Sequence, residues 1–216
     1  MARGVWLKLR LLLRRHAWAL LGLMLGLASL GVYAAGDEAS RAWIWQPSEH
    51  WQAPWRWWTA PLVHWSLWHL LANLGACAVT VAWGVAARAQ ATQAMAWAVS
   101  WPMSMALLIS DPNPLPYAGL SIVLHAGVVV VCWQLMGSPR TRLRWIGAAM
   151  LVAVGIKLIL EVPLLGAPSP PPLPGGSGQV LAAHAHACGA AAGLLSALLI
   201  DGIIALMRMR TRVAQG

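Results

Sequence analysis

The sequence predicts an all-α integral membrane protein, a six-transmembrane-helix bundle with both termini in the cytoplasm. Three observations carry that reading. First, 59% of the 216 residues are hydrophobic and only 10% charged, with a mean hydropathy of +0.63. A soluble domain carries about 25% charged residues, so this chain cannot cover an ordinary water-facing surface. Second, apolar stretches recur at about 17–35, 66–87, 91–110, 118–136, 145–162 and 180–207. Each has at least about the length that a bilayer core demands, roughly 20 residues. Third, lysine and arginine are concentrated in alternate connections, as cytoplasmic loops require.

The elements follow in order. Residues 1–16 form a basic cytoplasmic N-terminus with Arg3, Lys8, Arg10, Arg14 and Arg15. The first span, 17–35, is too long for a signal-peptide core and is retained as a helix. Arg88 separates spans two and three, Arg140, Arg142 and Arg144 separate four and five, and Arg208, Arg210 and Arg212 lie in the basic tail, 208–216. Twelve of the fifteen cations thus fall on one side, against Arg41 and Arg56 on the other, beside Asp37, Glu38, Glu49 and Asp111. The net charge of +9 then reflects cytoplasmic Lys and Arg rather than a nucleic-acid surface.

Two outer connections stand out. Residues 36–64 hold Trp43, Trp45, Trp51, Trp55, Trp57 and Trp58, and tryptophan favours the headgroup zone. The uncharged, Pro-rich run 163–178 cannot be helical and suits a cap over something below. Cys77, Cys132 and Cys188 are scattered through apolar segments, which fits neither a disulfide framework nor a thiolate metal site. They are expected to be small buried residues.

Polar side chains inside spans are functional candidates by default. His69 and Asn73 lie four apart in span two, so they share a helix face, with His64 just before them. Ser121 and His125 share a face in span four, behind Gly119. In span six, Gly189 and Gly193 lie on the face of His186, whereas His184 points away, about 200° round the helix. With both termini cytoplasmic, Asn73, Ser121 and His186 come to one outer layer of the membrane. Small residues at Gly189 and Gly193 let a neighbouring helix approach closely.

Such a layer can perform nucleophilic catalysis. A serine hydroxyl needs a base to take its proton, and imidazole serves near neutral pH. Attack on a carbonyl creates an oxyanion that needs preorganised donors. Ser121 is the candidate nucleophile and His186 its base. His69 and Asn73, with the backbone N–H of Ser121, are the candidate donors. His125, four residues from Ser121, is a rival base. No carboxylate is expected at this depth, since Asp201 lies a helix length away and Glu161 is read as the structural partner of Lys157. The chemistry is therefore a Ser–His dyad. His64, His69, His125, His184 and His186 could also supply metal ligands, but no His-Glu-x-x-His or similar motif accompanies them. No metal and no cofactor is expected.

At these residues the chain resembles the rhomboid intramembrane serine proteases. Trp55-Arg56 resembles the family's first-loop Trp-Arg, and His64, His69 and Asn73 stand at its His-x₄-His-x₃-Asn spacing. Gly119-Leu120-Ser121 is similar to its nucleophile motif, and Ala185-His186-x-x-Gly189-x-x-x-Gly193 to its base motif. The resemblance runs over the six-helix core, 17–207. It implies the same roles for Ser121, His186, His69 and Asn73, a supporting first loop at Trp55 and Arg56, and a cap loop at 163–178.

Two positions depart from the family. Ile122 follows the serine where the family has glycine, and His125 stands where an aromatic packs on the base. Gly-Leu-Ser-x-x-Leu-His in a short six-helix chain is similar to the rhombosortase branch. That resemblance implies cleavage of single-span substrates with a C-terminal Gly-Gly sorting tail, in a bacterial inner membrane, with the site opening to the periplasm. The alternative is a rhomboid-like pseudoprotease that binds transmembrane segments without cutting them. A channel or transporter would show broken helices or inverted repeats, and neither is present.

Overall fold

Helices dominate the chain because its apolar runs carry little charge and few breakers, and the hydrogen-bonded backbone must satisfy itself. The computed structural model describes residues 2–49, 51–110, 116–161 and 178–214. The expected cap at 163–178 lies, but for its last residue, outside the described residues, as does Asp111. The helices are α1 (Ala2–Ala34), α2 (Asp37–Arg41), α3 (Arg56–Thr59), α4 (Leu67–Ala86), α5 (Ala91–Leu107), α6 (Ser121–Met136), α7 (Thr141–Glu161) and α8 (Gly178–Val213).

Local chemistry sets the helix limits. The Ser66 side chain accepts from the N–H of His69, capping α4. Gln90 and Gln93 form a reciprocal capping box at the start of α5. The turn between these helices passes through Arg88, whose φ of 58° places it in the left-handed region. Charged ends do not stop the terminal helices: α1 runs back through the basic N-terminus, and α8 continues through Arg208, Arg210 and Arg212.

Among the described residues, four helices contain segments long and apolar enough to cross a membrane: Leu13–Ala34, Leu67–Ala86, Thr141–Glu161 and Ala183–Arg212. The stretches expected as spans at 91–110 and 118–136 form shorter helices, of 17 and 16 residues. The first ends in a 3-10 turn, Leu108–Ser110. The second cannot begin at 118, because Gly119 sits at φ 133° and breaks the helical path. At 1.5 Å per residue, α6 is about 24 Å long.

α6 is the centre of the bundle. It packs against α4, α5, α7 and α8, and α1 closes on α4 and α5. Trp97 of α5 donates from Nε1 to the carbonyl of Val123 at 2.8 Å and stacks on Trp18 of α1, with ring centroids 4.4 Å apart. Cys77, Cys132 and Cys188 are buried thiols in this interior.

The first loop forms a structured platform. Arg56 donates from Nε to the carbonyl of Ala42 at 3.0 Å and pairs with Glu49, while the Thr59 hydroxyl donates to the Trp43 carbonyl. Trp51, Trp55 and Trp58 are exposed, whereas Trp45 is buried. Trp45 and Tyr117 exchange backbone hydrogen bonds at 3.0 Å, and the N–H of Gly119 donates to the carbonyl of Ala60. The platform therefore holds the segment that leads into α6.

Candidate active site

Three helices and the segment before α6 converge at Ser121. Ser121 is the first residue of α6. A Cβ on Gly119 would lie 2.9 Å from Cε1 and Nε2 of His69 and 3.8 Å from Nδ2 of Asn73. Glycine is required there twice over, by its φ of 133° and by the approach of the imidazole edge. Both expected oxyanion donors thus close on the backbone two residues before the serine. His69 accepts at Nδ1 from the backbone N–H of Trp65 at 3.4 Å. A neutral ring accepting at Nδ1 carries its hydrogen on Nε2, so the edge turned to Gly119 is a donor.

The opposite wall is α8. A Cβ on Gly189 would strike the carbonyl of Ile122, and one on Gly193 the carbonyl of Ala126. The two helices therefore touch backbone to backbone over the first turns of α6. Ile122 in place of the family's glycine does not prevent this contact, because its side chain turns into the core and is fully buried. This contact brings His186 to the start of α6.

His125 and His186 lie face to face, with centroids 4.1 Å apart and an interplanar angle of 20°. His125 Nδ1 is held 2.7 Å from the carbonyl of Ser121. A carbonyl only accepts, so Nδ1 carries hydrogen and is unavailable as a base. The ring is placed as a platform under His186. His184 stays off the cluster, its Nε2 3.4 Å from the Cys188 thiol.

The structure adds two residues that the sequence did not single out for this site. Tyr117, fully buried, donates from its hydroxyl to the carbonyl of Gly119 at 2.8 Å and accepts from the N–H of Ile122 at 3.2 Å. Burial holds its phenol above the ordinary tyrosine range, so it stays protonated. With that hydrogen spent on Gly119, Tyr117 Oη accepts from the Ser121 hydroxyl, 3.3 Å away. Among the described residues no hydrogen bond joins Ser121 to His186. Catalytic hydrogen bonds of this kind are often long before substrate arrives.

The second is Glu161, and it corrects an expectation. No carboxylate was expected at the base, yet Glu161 Oε2 lies 2.8 Å from His186 Nδ1. Its other oxygen pairs with Lys157, as the i,i+4 spacing suggested. Ionisable residues in an apolar helix are expensive to keep, and that was the signal available.

His64 is buried, its Nδ1 3.1 Å from the carbonyl of Leu62 and its ring edge-on to His69 at 5.0 Å. Burial, with His69 beside it, pushes His64 down to about 4, so it is neutral at pH 7. Among the described residues, no group of three or more His, Cys, Asp or Glu is arranged to hold a metal ion.

Comparison with known families bears on this geometry. A family model described as Rhomboid domain matches residues 51–201, well over half of the chain. The match takes in the first-loop Trp55 and Arg56 and all four converging segments. No curated protein matches the sequence.

Proposed function

Because the chain belongs to the rhomboid family, multi-pass membrane proteins that are intramembrane serine proteases acting on transmembrane substrates, we propose that it is an active endopeptidase. Ser121 is the nucleophile and His186 its base, with His69, Asn73 and the Ser121 N–H stabilising the oxyanion. One observation carries the reading most: donors from α4 close on Gly119 while small residues of α8 bring His186 to the same turn.

The steps follow from these positions. Ser121 Oγ swings from Tyr117 towards His186 and attacks the scissile carbonyl carbon, and its proton passes to Nε2 of His186. The carbonyl oxygen gains the negative charge and is met by the His69 and Asn73 donors. The C–N bond then breaks, and His186 returns the proton to the leaving amine. Water attacks the acyl ester, gives one proton to His186, and the C–O bond breaks as Ser121 recovers its hydrogen.

The membrane arrangement belongs to the same proposal: six crossings, both termini cytoplasmic, in a bacterial inner membrane. An α6 of about 24 Å is shorter than a hydrocarbon core of roughly 30 Å, which sinks Ser121 below the periplasmic face. The exposed first-loop tryptophans suit the headgroup zone there. His125 under the base supports the rhombosortase reading, with single-span substrates bearing a C-terminal Gly-Gly tail.

A fluorophosphonate probe applied to isolated membranes tests the site. Labelling of wild type should vanish in Ser121→Ala and His186→Ala and persist in His125→Phe, which keeps a ring under His186. Labelling lost in His125→Phe but kept in His186→Ala would make His125 the base. A folded wild type that never labels would favour the pseudoprotease.

A further inference from the structure

Glu161 is the charged group nearest the proposed base, and the steps above leave it unused. It closes α7, one turn beyond Lys157, and its carboxylate is engaged on both oxygens: Oε1 by Lys157 Nζ and Oε2 by His186 Nδ1 at 2.8 Å. Lys157 Nζ also comes within 3.3 Å of His186 Nδ1.

The donor and acceptor inventory resolves this cluster. An ionised carboxylate only accepts and an ammonium only donates. The 2.8 Å approach to Glu161 therefore requires hydrogen on Nδ1, and Lys157 directs its own hydrogen to the carboxylate. A neutral imidazole with hydrogen on Nδ1 has its lone pair on Nε2, the tautomer a general base needs. His125 fixes the plane of the ring by stacking. Rotation within that plane is what remains free, and the bond to Glu161 removes it.

We propose that Glu161 is the positioning residue of His186, making the machinery a Ser121–His186–Glu161 triad with Lys157 holding the carboxylate. This rests on the reading of Ser121 as nucleophile and His186 as base. When Ser121 loses its proton to Nε2, the imidazolium formed keeps its Nδ1 hydrogen on Glu161. The carboxylate stays ionised and faces the new positive charge. Glu161 touches no reacting atom and acts through His186.

The test uses the full chain in lipid vesicles and the labelling kinetics of a fluorophosphonate. In that reaction Ser121 Oγ forms the P–O bond, fluoride leaves, and the serine proton passes to His186. Glu161→Gln keeps shape and hydrogen bonding but can present its N–H₂ to Nδ1, favouring the wrong tautomer. Its maximal labelling rate should fall about 100-fold, within the range general-base assistance supplies, with the half-saturating probe concentration unchanged. Glu161→Asp restores a carboxylate and should recover at least about tenfold of that loss.

Thermal midpoints of both variants should stay near wild type. Labelling of Glu161→Gln within about twofold of wild type, while Ser121→Ala and His186→Ala remain silent, would leave a dyad and overturn the triad alone. Equal losses in the Gln and Asp variants with lowered thermal midpoints would make Glu161 structural and overturn it too. A folded wild type that never labels would instead overturn the protease reading, and the triad with it.

Discussion

Two walls meet at His186, and they are built from opposite materials. On one side stands α6, with ten of its sixteen residues buried and its backbone pressed against Gly189 and Gly193 of α8. On the other stands α7, whose one buried residue among twenty-one is Gly147. α7 is held at its start by Gly147 against Cys132 and Leu135 of α6 and by half-buried Leu143 and Ile146 on the core, and at its end by the charges of Lys157 and Glu161 at His186. Backbone contact cannot be adjusted without moving a helix, so the α6 side decides where the histidine sits. A charged contact can change while the helices stay, so the α7 side decides which way the ring faces. Substitutions on the first wall should act through folding, and those on the second through chemistry.

The largest expected effect tests the first wall. Gly189→Val places two branches where the carbonyl of Ile122 already stands. Overpacking of this kind costs about 3 kcal/mol or more when backbone must move. Thermal unfolding in detergent micelles should show that loss, and fluorophosphonate labelling should disappear with it. A Gly189→Val protein with wild-type stability would mean that α8 and α6 are not in backbone contact, and the contrast between the walls would collapse.

Tyr117→Phe is a gentler probe of the same side. It deletes the hydroxyl that bonds Gly119 and Ile122 and leaves both backbone groups without that partner. The cost expected for such buried groups is about 1–3 kcal/mol. Labelling should fall as well, because the turn that aims Ser121 is loosened. Unchanged stability and labelling would reduce Tyr117 to a space-filling ring, and the hydroxyl would have no part in shaping the turn.

The same division explains what was legible in the sequence. Ser121, His69, Asn73 and His186 could be singled out because each stands at helical spacing from another polar or small residue. Tyr117 could not, since its role depends on a pairing with Trp45 across the first loop. α6 starts three residues later than apolarity alone predicts, because the apolar run continues through 118–120 while the backbone at Gly119 leaves the helical region. Within its own helix, Glu161 has a sufficient partner in Lys157. Its second oxygen faces α8, and only the packing of α7 across to α8 reveals that. Spacing along one helix is visible in a sequence, but the partner supplied by another helix is not.

The smallest effect belongs to the outer face of α7. Ile159 is 67% exposed, and in a bilayer such a side chain meets lipid in the folded and the membrane-inserted unfolded states alike. Ile159→Ala therefore removes bulk without opening a cavity in the protein. Its effect on stability should be less than about 0.5 kcal/mol, the range of substitutions away from packed features. Labelling should be unchanged, since the charges that meet His186 lie elsewhere on the helix. A loss of 2 kcal/mol or more, on the scale of a buried Ile→Ala cavity, would show that this face is covered by protein. α7 would then be a packed wall like α6, and the position of Glu161 would be fixed by side-chain packing rather than by its charged contacts.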